Sequence, residues 1–163
     1  MRQPWLAVCV ASSCLWPLSA MPQQASVPSP TARPAYDAAL ATSLGADARG
    51  MRPYVLVVLK TGPTRVPEGP ARDAMFKGHF ANIERLSNAG KLAFAGPFDG
   101  ADGWRGLFVF AVPTIDEARA LVATDPVVAQ GEMVPEFHAL YGSAALMRIP
   151  ALHATIVPPA PTP

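Results

Sequence analysis

YVLVVLK, residues 54–60, is β-branched and apolar almost without a break. A run of that length, followed by turn residues and without helical spacing, reads as a strand buried on both faces. RGLFVFAV, residues 105–112, has the same character: Leu107, Phe108, Val109, Phe110 and Ala111 leave neither face polar. An antiparallel sheet with one wet face should alternate apolar and polar residues, and these two segments do not. The sheet they join must be covered on both sides.

Outward from these strands the pattern is regular. TGPTRVPEGP follows the first as a loop, and a helix is predicted over Ala71–Ala89, with Gly90 as its C-terminal cap. KLAFAGPF (91–98) is a second strand, DGADGW supplies turn residues, and RGLFVFAV is the third strand. Thr114 followed three residues later by Glu117 is a capping box, opening a helix with Ile115, Ala118, Leu121 and Val122 on one face. EMVPEFHALY (132–141) completes the set as a fourth strand.

The order βαββαβ defines an α+β domain over residues 51–156. It is the ferredoxin-like, split-βαβ arrangement, a four-stranded antiparallel sheet with two helices on one face. The helices cover only that face. A second copy packing sheet to sheet would cover the other, so a homodimer is expected. The alternative is that the 36–50 segment and the C-terminal stretch cover it within one chain.

The 163 residues suffice for one domain, and the formal charge of +1, with no basic stripe, argues against nucleic acid as a partner. Residues 1–20, MRQPWLAVCVASSCLWPLSA, have a positive start, an apolar stretch and a small-residue cleavage site, the three parts of a secretory signal. The stretch is too short for a permanent membrane span. A periplasmic or secreted protein is expected, with no membrane association after signal removal. Ala11-Ser12-Ser13-Cys14 fits a lipoprotein signal poorly, having Ala where Leu is usual. Cys9 and Cys14 both fall within the signal, so a mature chain would have no disulfide, thiolate nucleophile or cysteine metal site. Residues 21–50 read as a Pro/Ser-rich linker able to hold a short helix over 36–47, and residues 157–163 as a loose tail.

There is no Gly-rich phosphate loop, no Gly-x-Ser-x-Gly elbow and no His/Asp/Glu cluster with metal-ligand spacing, so neither cofactor nor metal is expected. Attention falls instead on ionisable groups in apolar surroundings. In FKGHFANIERL (76–86), with Met75 at zero and about 100° per residue, His79 falls near 40°, inside the apolar arc. That arc also holds Leu86, Ile83, Phe76 and Phe80, while Lys77, Asn82, Glu84 and Arg85 lie outside it. A lone His there is most often a core residue bonded to a carbonyl; a chemical role requires a partner that orients the ring. Asp125, directly before Pro126, is the best-placed carboxylate, although Asp followed by Pro is also how a short helix begins. Glu136 and His138 share one face of the last strand and suit a pocket or an exposed edge equally. Arg105 opens the third strand beside the GPF turn and suits either an anion or a surface carboxylate.

LKTGPTR, GHFANIERLSNAGKLAFAGPF, RGLFVF, ALVATDPVVAQGEM and EFHALYGSAAL resemble, in order and spacing, the YciI (YCII-related) family over roughly Tyr36–Ile156. The resemblance implies a ferredoxin-like domain that dimerises into an α+β barrel. It also implies that His79 and Asp125 match the family's proposed acid/base pair, in a pocket near the dimer interface. The implied chemistry is proton transfer on a small molecule without metal or nucleotide, as in a family member that eliminates chloride from a chlorinated hydroxyhydroquinone. Arg105, Glu136 and His138 remain the candidates for substrate binding. One departure bears on substrate range: Ala139-Leu140-Tyr141 stands where many relatives have Pro-Trp-Tyr after the last-strand His.

Overall fold

The structure, a computed structural model, describes residues 34–158. The signal-like segment, both cysteines, residues 21–33 of the linker and residues 159–163 of the tail lie outside the described residues. The elements are α1 (Ala38–Ser43), β1 (Met51–Thr61), α2 (Pro70–Asn88), β2 (Leu92–Pro97), β3 (Trp104–Phe110), α3 (Ile115–Val122), α4 (Pro126–Ala129), β4 (Met133–Ser143) and α5 (Ile149–Ile156). The four strands form one antiparallel sheet in the order β2-β3-β1-β4, the ferredoxin-like α+β arrangement.

Local signals in the chain account for the element ends. Gly90 takes a left-handed conformation after α2, with its N–H on the Ser87 carbonyl and the Lys91 N–H on that of Leu86, a Schellman closure. The Thr114 hydroxyl caps α3 by accepting from the Glu117 N–H at 3.2 Å. Pro135 lies in β4, at the sheet edge, where a missing donor is tolerated.

Strand β1 sends alternate residues to opposite faces. Val55, Val57 and Leu59 join Phe108, Phe110, Met75, Leu86, Ala118 and Val122 in the main core beneath the helices. On the second face Tyr54, Ala93, Val109 and Ala111 form a smaller cluster, packed by Leu146 and Met147 from the 3-10 turn Ala144–Arg148. The C-terminal stretch thus covers part of that face within one chain. The α1 lead-in is tied on as well: Arg52 donates to the Leu44 carbonyl at 3.0 Å, and Asp47 accepts from the Met51 N–H and the Tyr141 hydroxyl.

The helical face of α2 is rotated from the arc expected. Its buried residues are Arg72, Met75, His79, Asn82 and Leu86, whereas Phe80 is exposed. Asn82, expected outside the apolar arc, is buried because it meets the end of α3. Its side-chain oxygen accepts from the Thr124 hydroxyl at 3.1 Å and from Arg85 at 2.6 Å.

Candidate functional site

Helix α2 carries His79 over the sheet, and the turn between α3 and α4 brings Asp125 to it. Asp125 is fully buried and serves as the N-cap of α4, accepting from the Val127 N–H at 3.1 Å, with Pro126 at the first helical position. Its carboxylate oxygens also lie 2.8 and 3.0 Å from His79 Nδ1. Capping and histidine contact coexist in one side chain. A carboxylate only accepts hydrogen bonds, so it places the imidazole proton on Nδ1 and leaves Nε2 with a free lone pair. Close approach of α4 to α2 depends on Gly78, where a Cβ would stand 3.0 Å from the Pro126 ring.

Nε2 has no hydrogen-bond partner among the described residues and is not sealed from solvent. His79 lines a cavity of about 470 Å³ whose walls include Phe76, Phe80, Phe98 and Phe108. The Phe80 ring lies 5.3 Å from the imidazole and Phe108 6.0 Å, centre to centre. A histidine with one nitrogen held and the other open to an apolar recess is set up to exchange a proton with a bound molecule.

Arg105 lines the same cavity. Pairing of β1 with β3 passes from Leu59↔Gly106 to Lys60↔Trp104, so Arg105 is the extra residue of a β-bulge. Bulges re-aim side chains, and this one turns Arg105 towards the helical side.

Beside it lies a cluster that sequence reasoning missed. Glu132, fully buried, accepts from the Val66 N–H and from Arg72 Nη1, each at 2.8 Å, with Arg65 at 3.4 Å and Arg105 at 3.9 Å. Burial pushes its pKa up, but the Val66 N–H, then Arg72 and Arg65, outweigh burial and hold the carboxyl below its ordinary 4.5. The available signal is an acidic residue wedged between Gly131 and the apolar start of β4, which by itself marks no more than the beginning of a strand.

Glu136 and His138 do not join this site. In register with Val58 and Leu56, they point from the second face of the sheet, as Val134 and Leu140 do. There they form a row with Lys60: Lys60 pairs with Glu136, and His138 Nε2 lies 2.8 Å from Glu136 Oε1. Lys60 first, then His138, holds the Glu136 carboxyl below its ordinary range. Of the five candidates, the structure brings His79, Asp125 and Arg105 together and separates the other two. Among the described residues no group of three or more His, Cys, Asp or Glu side chains is placed to hold a metal ion.

Residues 53–135 match the YCII-related domain, and the chain belongs to that family. No curated protein matches the chain. A similar solved structure is 5-chloro-2-hydroxyhydroquinone dehydrochlorinase from Burkholderia phenoliruptrix, in complex with 2,5-dihydroxybenzoquinone. It has 20% identity and a TM-score of 0.39, covering 53% of this chain and 90% of that one.

Proposed function

We propose that this YCII-related protein is an exported small-molecule enzyme of the lyase, isomerase or hydrolase kind, working by proton transfer from its own side chains. His79 is the general acid or base, acting through Nε2. Asp125 holds the ring and stabilises the imidazolium formed when Nε2 takes a proton. The observation that carries this reading is the 2.8 Å contact from Nδ1 to Asp125, with Nε2 open to an apolar cavity. Such proton transfer supplies roughly 10²- to 10⁴-fold of rate, so the cavity walls must position the substrate for the remainder.

Export is inferred from the character of residues 1–20, and a homodimer from the apolar residues on the second face of the sheet. The test of the catalytic reading is a thermal-shift screen of aromatic and lactone-type small molecules, followed by mass spectrometry of each stabilising compound. Wild-type protein is expected to convert at least one of them. His79→Ala, with an unchanged circular dichroism spectrum, is expected to bind it without conversion. Stabilisation of wild type by compounds that are never converted would instead identify a non-catalytic binding module, with the cavity as its ligand site.

A further inference from the structure

We infer that Arg105 is a specificity-determining residue: it takes the anionic group of a one-ring substrate of about benzoate size, whose ring lies among Phe76, Phe98 and Phe108. This rests on the cavity being a small-molecule site and names the class of molecule it admits.

The first support is charge. Arg65, Arg72 and Arg105 surround Glu132, and Glu68 is the other carboxylate in the group, 3.6 Å from Arg65 and 3.4 Å from Arg72. Three guanidiniums therefore meet two carboxylates, an excess of one positive charge. Glu132 takes hydrogen bonds from Arg72, Arg65 and the Val66 N–H. Arg105, at 3.9 Å, is beyond hydrogen-bond reach, and its guanidinium donates to nothing among the described residues. Of the three cations it is the one that makes no hydrogen bond to a carboxylate, its ion pair with Glu132 being the longest.

The second support is direction. As the extra residue of the bulge, Arg105 is turned to the cavity side instead of the second face, and its own carbonyl is fixed by the Phe98 N–H at 3.0 Å. Gly106 beside it lacks a side chain that would fill the mouth, and a Cβ there would stand 3.0 Å from the Gly96 carbonyl oxygen. The guanidinium fork matches a planar carboxylate in a two-bonded fit, which a neutral amide cannot reproduce.

The third support is size and lining. A dry cavity of about 150 Å³ suffices for benzene, so 470 Å³ accommodates a substituted single ring with room for ordered water. Aromatic walls suit a flat molecule, and their low dielectric strengthens the single charge contact.

Benzoate and benzamide, equal in shape and different in charge, are the probes, with binding read by isothermal titration calorimetry. Wild-type protein is expected to bind benzoate roughly 10- to 100-fold more tightly than benzamide, the span of a hydrogen bond to a charged group. Arg105→Met, checked for an unchanged melting profile, is expected to bring the ratio to about one. Lys60→Met removes a cation from the other sheet face and is expected to leave the ratio as it was. Should Arg105→Met fold poorly, NMR of the wild type is read instead: benzoate, and not benzamide, is expected to shift the Arg105 Nε–H resonance. Equal binding of the two probes, no binding of either, a preference surviving in Arg105→Met, or one lost in Lys60→Met overturns the inference. None of these outcomes needs turnover, so they leave the proton-transfer role of His79 to be decided separately.

Discussion

At the scale of single residues, Asp125 combines two duties that substitution can separate. Asn retains the capping oxygen but not the charge, whereas Ala removes both. Asp125→Asn is therefore expected to keep α4 and nearly all stability, while Asp125→Ala loses about 1 kcal/mol from the cap alone. The tautomer is the readout that a purely structural Asp125 would not move. In wild type, ¹⁵N NMR should show the His79 proton on Nδ1 and a bare Nε2. In Asp125→Asn the amide can also offer an N–H to the ring, so the Nδ1–H population is expected to fall, with a loss of turnover of about 10²-fold or more. An unchanged tautomer in Asp125→Asn would remove Asp125 from the mechanism. His79 itself was legible in the sequence as a misfit on an apolar arc. Its contact with Asp125 was not, because 46 residues of chain separate the two and only the α2–α4 approach at Gly78 joins them.

At the scale of elements, the loop after β1, the start of α2 and the turn before β4 are held together by one carboxylate. Glu132 reaches the Val66 N–H in the loop and the buried Arg72 in α2. Because its folded pKa is lowered, its contribution to stability is fully present above about 4.5 and is lost as pH falls through the lower folded value. Glu132→Gln removes the buried carboxylate that Arg72 meets at 2.8 Å and leaves it the exposed Glu68 at 3.4 Å, which costs about 1–3 kcal/mol. Urea titrations across pH 3–7 should therefore show the variant less stable at neutrality, with a shallower loss on acidification; parallel pH profiles for the two proteins would refute this role. The same junction requires Gly62, whose N–H donates to the Glu132 carbonyl at 2.8 Å and where a Cβ would fall 2.0 Å from the Gly131 carbonyl oxygen. Backbone cannot yield as a flexible side chain does, so Gly62→Ala is expected to destabilise by about 3 kcal/mol or more, measured in the same titration. The βαββαβ order was readable because unbroken β-branched apolar runs and segments of helical spacing succeed one another within local windows, each closed by Gly, Pro or a capping residue. Glu132 and the aim of Arg105 were not. The first depends on a partner loop 66 residues away, and the second on a register shift that exists only once β1 and β3 are paired.

At the scale of the whole molecule, the absence of alternation in β1 and β3 announced apolar residues on both faces of the sheet, and the second face is covered only in part within one chain. The C-terminal turn packs Leu146 and Met147 over the Tyr54 end of the second face. At the other end Trp104 and Val134, both in register with Lys60, are each 40% exposed, with Leu56 and Leu107 half-buried between the two ends. The Lys60–Glu136–His138 row stands beside these apolar groups, as a polar rim stands beside the apolar centre of an interface. A second copy placed sheet to sheet would bury this strip, and a stable pair needs about 800 Å² from each partner. Light scattering after size exclusion is thus expected to give twice the mass of one chain. Leu56→Glu, placing a charge at the centre of the strip, should give a monomer with an unchanged circular dichroism spectrum. The His79–Asp125 contact lies within one chain, so such a monomer is expected to keep the Nδ1 tautomer. A wild-type protein that is monomeric at tens of micromolar would sink the dimer and leave that face, among the described residues, to the C-terminal stretch and the α1 lead-in.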